Sequence, residues 1–277
     1  MSLYSKVFKP KTIQLENGKT VDEPKSPVLL ISIILMVLTY FALDLTGFNF
    51  RTLIERGHQF FVLLEGMFFA SGAPNFNFWR AVWTPLIDTV KMSLLGTILG
   101  AGLALPVAII ASTNIIKNQF VIVVSRFIFS FVRTIPTIVI ALIAMLVLGI
   151  GTTAGTVAIT LFTFGFVGKL LYEQIETVDM GAYEAMKAMG ANRTQAVIVA
   201  IMPQIMPRFL SNSLFCFEGN VRHAAILGMV GAGGIGIILN TNLAFRSYAN
   251  VGMIILMLFI TVFIIEMIAR FVRSKLV

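Results

Sequence analysis

The sequence predicts an all-α integral membrane protein with six transmembrane helices, a small N-terminal hairpin on the cytoplasmic side and an outer interfacial helix. Three observations carry this. Hydrophobic residues make up 57% of the 277 positions and charged residues 12%, with a mean hydropathy of +0.91, against about 25% charged in a soluble domain. The apolar residues fall in runs close to the ~20 needed to cross a bilayer. The basic residues behind the net charge of +8 sit at the ends of those runs, which is the positive-inside pattern and an orientation signal, not a nucleic-acid footprint. The one cysteine, Cys216, cannot form an internal disulfide.

Residues 1–27 form the first segment, polar and basic, with Lys6, Lys9, Lys11, Lys19 and Lys25. Alternating apolar residues flank Asn17-Gly18, the strongest short hairpin signal, and Pro24 and Pro27 close it. With no small-residue cleavage site before the first apolar run, no cleavable signal peptide is expected. Residues 28–82 form the second segment. Val28 to Leu43 is the first span, with the N-terminus inside. Arg51 to Phe69 has helical apolar spacing but five ionisable groups (Arg51, Glu55, Arg56, His58 and Glu65), so it is expected to lie along the outer leaflet.

Residues 83–277 hold the remaining spans. The second, about Pro85 to Ser112, carries Gly96, Gly100 and Ala104 four apart, a spacing that lets helices approach closely. Asp88 and Lys91 are placed to pair on one face, and Pro106 to kink or end the span. The third span, Val124 to Leu148, contains Arg126, Arg133 and Pro136. The fourth runs from Ala154 to Tyr172. The fifth begins after Pro207 and reaches about Leu239, and the sixth is Val251 to Ala269 with Arg270, Arg273 and Lys275 behind it. This arrangement puts both termini in the cytoplasm.

The interval Asp179 to Pro207 is the long polar-containing stretch between apolar segments. Its Tyr183 to Met189 run suits a helix, Gly190 can supply a left-handed C-cap, and Pro203 and Pro207 cannot sit in a helix interior without losing a backbone bond. Two short helices at an angle are expected, although pattern alone favours an ordinary loop joining two spans. Glu184-Ala185, Gly190-Ala191, Gln195 and Pro203 nevertheless stand at the spacing of the EAA loop of ABC importer permeases, with Met186 where that family usually has a second Ala. The stretch resembles that loop throughout its length. The resemblance implies a coupling element that docks on a separate ATPase subunit, with Tyr183 among its residues.

Two motifs that mimic nucleotide sites are rejected. Gly231-Ala232-Gly233-Gly234-Ile235-Gly236 matches GxGxxG by letter, but it closes an apolar span, has no βαβ context, and carries Leu256 where an acidic residue is needed. These glycines suit a bend or discontinuous helix beside a cavity. Gly168-Lys169 is followed by Leu170, and Thr163 stands where the P-loop needs its earlier glycine. No catalytic set emerges, so the chain is expected not to be an enzyme and to hold neither metal nor cofactor.

Charges within spans are expensive and usually functional. Glu218 lies ten residues beyond Arg208, about 15 Å along a helix, which puts it near mid-membrane. Arg222 follows at i+4. The pair suits an inert staple, yet Arg133 and Arg222 together exceed what one carboxylate neutralises, and the surplus favours an anion path. The stretch Phe217-Glu218-Gly219-Asn220-Val221-Arg222-His223-Ala224, the run from Ile226 to Gly236, and Arg133-Thr134-Ile135-Pro136 look like the matching parts of phosphonate and phosphite ABC importer permeases. The likeness covers roughly Thr84 to the C-terminus. It implies a type I ABC importer permease fold, a homodimer with its path on the two-fold axis, two ATPase subunits holding ATP and Mg, and an extracytoplasmic substrate-binding protein. A permease for methionine or another small solute, and a stand-alone secondary transporter, are the rival expectations.

Overall fold

The computed structural model describes residues 12–14, 20–22, 28–70 and 72–276, and they divide into two compact units, Met1–Val62 and Leu63–Val277. In the first unit β1 (Thr12–Gln14) and β2 (Thr20–Asp22) pair antiparallel, Ile13 opposite Val21. The Asn17-Gly18 turn and the surrounding lysines lie outside the described residues. Helix α1 (Val28–Leu45) is apolar throughout and has no buried residue, as befits a helix whose solvent is lipid. Helix α2 (Phe50–Leu64) begins the polar-and-apolar stretch after it, and residues Glu65–Phe69 add a π-helical turn belonging to the second unit.

The second unit is a helical bundle around α3 (Trp79–Ala111) and α6 (Thr152–Ile175). The small-residue stripe is what joins them. A Cβ on Gly96 would lie 2.7 Å from Ile159, and one on Gly100 would lie 2.5 Å from the Thr160 carbonyl, so the two backbones are too close for any other residue there. Pro85 and Pro106 both lie inside α3, which continues past Pro106 to Ala111. Asp88 and Lys91 form no ion pair with each other among the described residues. They border a cleft with Thr152 and Thr156 instead.

The expected third span is broken. Helices α4 (Gln119–Thr134) and α5 (Thr137–Leu148) meet at 89°. Pro136 has no N–H to continue the ladder, and its ring drives Ile135 out of helical geometry, to φ −83° and ψ 122°. Five helical stretches are long and apolar enough to cross a membrane, six if this bent pair counts as one.

The second correction concerns the fifth span. Helix α7 (Gly181–Ala188) is separate, but α8 (Arg193–Ala196) runs without a break through a π-helical turn, Val197–Ile201, into α9 (Met202–Met229). Pro203 and Pro207 therefore do not close the loop. The widened turn, with the Met202 N–H bonded back to the Val197 carbonyl, accommodates the donor missing at Pro203. At its far end α9 stops at Met229, short of Leu239. Residues Gly231–Gly234 turn the chain into the short α10 (Ile235–Ala244), and α11 (Tyr248–Leu276) completes the bundle.

Candidate functional site

Three places in the second unit concentrate the candidate residues. The first is the loop end of the bundle. Tyr183 is its anchor, buried in one apolar cluster with Leu171, Ile175, Ala196, Val197 and Ile201. Helix α7 ends in a paired backbone cap: the Gly190 N–H bonds to the Lys187 carbonyl at 3.1 Å, and the Ala191 N–H to the Met186 carbonyl at 3.1 Å. That cap requires the left-handed φ of +88° found at Gly190. Asn192 then caps α8, its Oδ1 accepting from the Gln195 N–H at 2.8 Å while Gln195 Oε1 accepts from the Asn192 N–H at 3.0 Å. This reciprocal box is legible as Asn-x-x-Gln, yet only Gln195 of the two is among the expected site residues. Glu184, Ala185, Gly190, Gln195 and Pro203 are exposed and Ala191 is half-buried, so an accessible surface rests on a buried tyrosine.

Beside this end lies an ionic knot that ties the middle of α4 to the ends of α3 and α6. Arg126 of α4 bonds to Glu176, donates from Nε to the Ala111 carbonyl at 2.9 Å, and stacks over the Tyr172 ring at 4.7 Å. Burial opposes the Glu176 charge, but hydrogen bonds from Thr113 Oγ1 and N–H, with Arg126, outweigh it and hold the carboxyl below its ordinary range. Arg126 is thus fully engaged in structure.

The second place is the charged cluster on α9. Glu218 is buried, 6% exposed, and its Oε1 accepts from Arg222 Nη2 at 3.0 Å. Its other oxygen accepts from Arg273 Nη2 of α11 at 3.1 Å, a partner 55 residues away that sequence spacing cannot reveal. Arg273 stands one turn from the end of α11, so Glu218 is bonded to the basic end of that helix. Arg133, at the end of α4 before the Pro136 break, is exposed and bonds to neither. Its aliphatic stem fills the notch at Gly165 of α6. Arg222 borders the same helix through its neighbour His223, whose ring meets Phe162 edge-on. One turn along α9 from Cys216, the buried Asn220 fixes the helix in the bundle, donating to Thr97 Oγ1 at 2.8 Å and to Thr163 Oγ1 at 2.9 Å.

The third place is the glycine turn. Gly231, Gly233 and Gly234 have φ of +99°, +88° and +72°. A Cβ on Gly233 would lie 2.6 Å from the Thr152 N, and one on Gly236 would lie 2.1 Å from the Ala225 carbonyl. The Ile235 N–H, at the start of α10, is received by Thr89 Oγ1 at 2.7 Å.

A bundle of apolar helices long enough to cross a membrane, with an accessible two-helix loop at one end and more guanidinium than carboxylate in its charged cluster, defines a multi-pass membrane protein. The family model described as "Binding-protein-dependent transport system inner membrane component" matches residues 104–276, and the chain belongs to that family. It is 32% identical over 213 residues to the Phosphate-import permease protein PhnE of Mycolicibacterium smegmatis, covering 76% of this chain and 40% of that protein. It is 34% identical over 201 residues to the Phosphite transport system permease protein PtxC of Stutzerimonas stutzeri, covering 73% of each. The chain thus spans under half the length of the first relative and about three quarters of the second. In fold it is similar to a chain of the MetNI methionine ABC transporter solved in inward-facing conformations, with TM-score 0.65 at 21% identity over 73% of this chain and 99% of that one.

Proposed function

We propose that the chain is the transmembrane subunit of an ATP-driven importer that moves phosphonate or a related phosphorus oxyanion into the cytoplasm. The observation that carries this reading is the surplus of guanidinium over carboxylate: Glu218 faces both Arg222 and Arg273, and Arg133 has no acidic partner among the described residues. A bare anion crosses hydrocarbon at prohibitive cost, and fixed guanidinium groups lower that barrier while matching the geometry of an oxyanion. The relatives named for phosphate and phosphite support the substrate class. The methionine transporter, at 21% identity, supports the architecture only.

In this reading two copies of the chain face each other across a two-fold axis, with both termini cytoplasmic. Tyr183 to Pro203 docks on one of two ATPase subunits, which supply ATP and Mg, and a binding protein delivers the anion from outside. The Gly231–Gly236 bend then stands at the outer gate. Uptake of methylphosphonate by proteoliposomes holding all three components tests this. Vanadate should block it. Arg222→Ala should abolish it while assembly with the ATPase persists. Uptake that needs no ATPase would show a secondary transporter instead, and wild-type uptake by Arg222→Ala would remove the anion path from this cluster.

A further inference from the structure

The two guanidiniums on Glu218 are not equivalent, and the difference assigns them separate tasks. Each carboxylate oxygen takes one of them, Oε1 from Arg222 at 3.0 Å and Oε2 from Arg273 at 3.1 Å. An arginine keeps its charge at any accessible pH, so the trio, built on the buried Glu218, carries one negative and two positive charges. Arg273 is the more enclosed of the two, with 26% of its side chain exposed against 48% for Arg222. It is held from a second side as well, its guanidinium 5.6 Å from the centre of the Phe215 ring and its Nε 3.4 Å from the Ala269 carbonyl. Arg222 has one bond to Glu218 and presents its remaining donors to open space.

We propose that Arg273 is a positioning residue that balances the Glu218 charge from behind, so that Glu218 orients Arg222 without cancelling it. Arg222 then offers one uncompensated positive charge to a phosphorus oxyanion. This rests on the anion-path reading above and supplies what that reading lacks, a reason why a permease for anions keeps a carboxylate on its path. The trio makes a specific claim about charge. Without Arg273, Glu218 and Arg222 sum to zero and the attraction is lost. Without both Arg273 and Glu218, the free charge of Arg222 returns. Without Arg222, no removal of Glu218 brings the ligand's partner back.

The test is uptake of labelled methylphosphonate by the reconstituted complex of this chain, its ATPase and its binding protein, supplied at saturating loaded binding protein. Arg273→Gln should lower the uptake rate about tenfold, one factor of ten in the relevant equilibrium, while ATPase stimulation persists and Arg273→Lys retains most uptake. Arg273→Gln with Glu218→Gln should return to within about twofold of the wild type, since the net charge at the site matches it again. Arg222→Gln with Glu218→Gln should stay inactive. Assembly with the ATPase, scored for every variant, separates misfolding from loss of charge. Equal behaviour of the two double variants, or unimpaired uptake by Arg273→Gln, overturns the assignment and leaves Arg273 as a tie between α9 and α11. Normal uptake by Arg222→Gln is a different failure, because it overturns the anion path itself.

Discussion

Gly190 and the Gly231–Gly236 turn both put glycine at positive φ, yet the chain needs glycine at the two places for different reasons. Around Gly190 an added Cβ meets nothing within 4 Å. The constraint there is torsional, a left-handed cap at +88° that stops α7 and frees α8 to start at an angle. At Gly233, Gly234 and Gly236 an added Cβ would lie 2.6 Å or less from Thr152, Thr89 and Ala225. The constraint there is volume, because α3, α6 and α9 close on the turn from three sides. An open turn can change angle without repacking anything, whereas a walled turn moves only with its walls. A loop that passes on motion suits the first kind, and a bend that stays fixed to the bundle suits the second.

Gly236→Ala is the sharpest way to break the contrast. Its methyl would fall 2.1 Å from the Ala225 carbonyl, a backbone atom that cannot step aside. Overpacking of this kind costs about 1–3 kcal/mol or more. The thermal midpoint and yield of the purified complex should both drop, and an unchanged midpoint would mean that the turn is looser than its contacts imply.

Gly190→Val should act with little effect on folding. A left-handed residue with a side chain costs about 1–2 kcal/mol, more when β-branched, and that strain falls on the α7–α8 junction alone. Membrane insertion and yield should match the wild type, while stimulation of the partner ATPase and uptake are lost. Normal stimulation in this variant would detach the junction from coupling.

Much of this architecture is legible in the sequence because it depends on local composition. The apolar runs mark the spans, and the four-residue spacing of Gly96, Gly100 and Ala104 marks the face that α3 turns to α6. Proline is harder to read. The same residue that breaks the chain by 89° at Pro136 is carried inside α3 at Pro106 and inside α9 at Pro207. A widened turn, Val197–Ile201, precedes Pro203, whereas α3 carries Pro106 with no such turn, so the outcome at a proline is set by its surroundings and not by the residue itself. The charged cluster was half legible. Glu218 and Arg222 are four apart on one helix, so spacing pairs them, whereas Arg273 reaches Glu218 from another helix. Its place in sequence marks it only as one of several basic residues at a helix end.

The smallest effect belongs to Asn192, on the open side of the comparison. Its side chain and that of Gln195 satisfy each other's backbone N–H groups at 2.8 and 3.0 Å, so Asn192→Ala removes one acceptor and leaves Gln195 without its reason to fold back. Losing such a cap costs about 1 kcal/mol, and here the cost is confined to the first turn of an exposed four-residue helix. The π-helical turn and Pro203 beyond it are held by the buried side chains of Val197, Ala200 and Ile201, so fraying cannot travel far into α9. Amide exchange at Arg193 to Gln195 should therefore speed up about fivefold, with the thermal midpoint unchanged and ATPase stimulation reduced by less than half. Faster exchange confined to those amides would show that the loop tolerates local loosening as long as the Gly190 cap sets its angle. A loss of stimulation as complete as in Gly190→Val would instead make the start of α8 part of the docking contact, and the open turn would then be constrained by a partner and not by torsion alone.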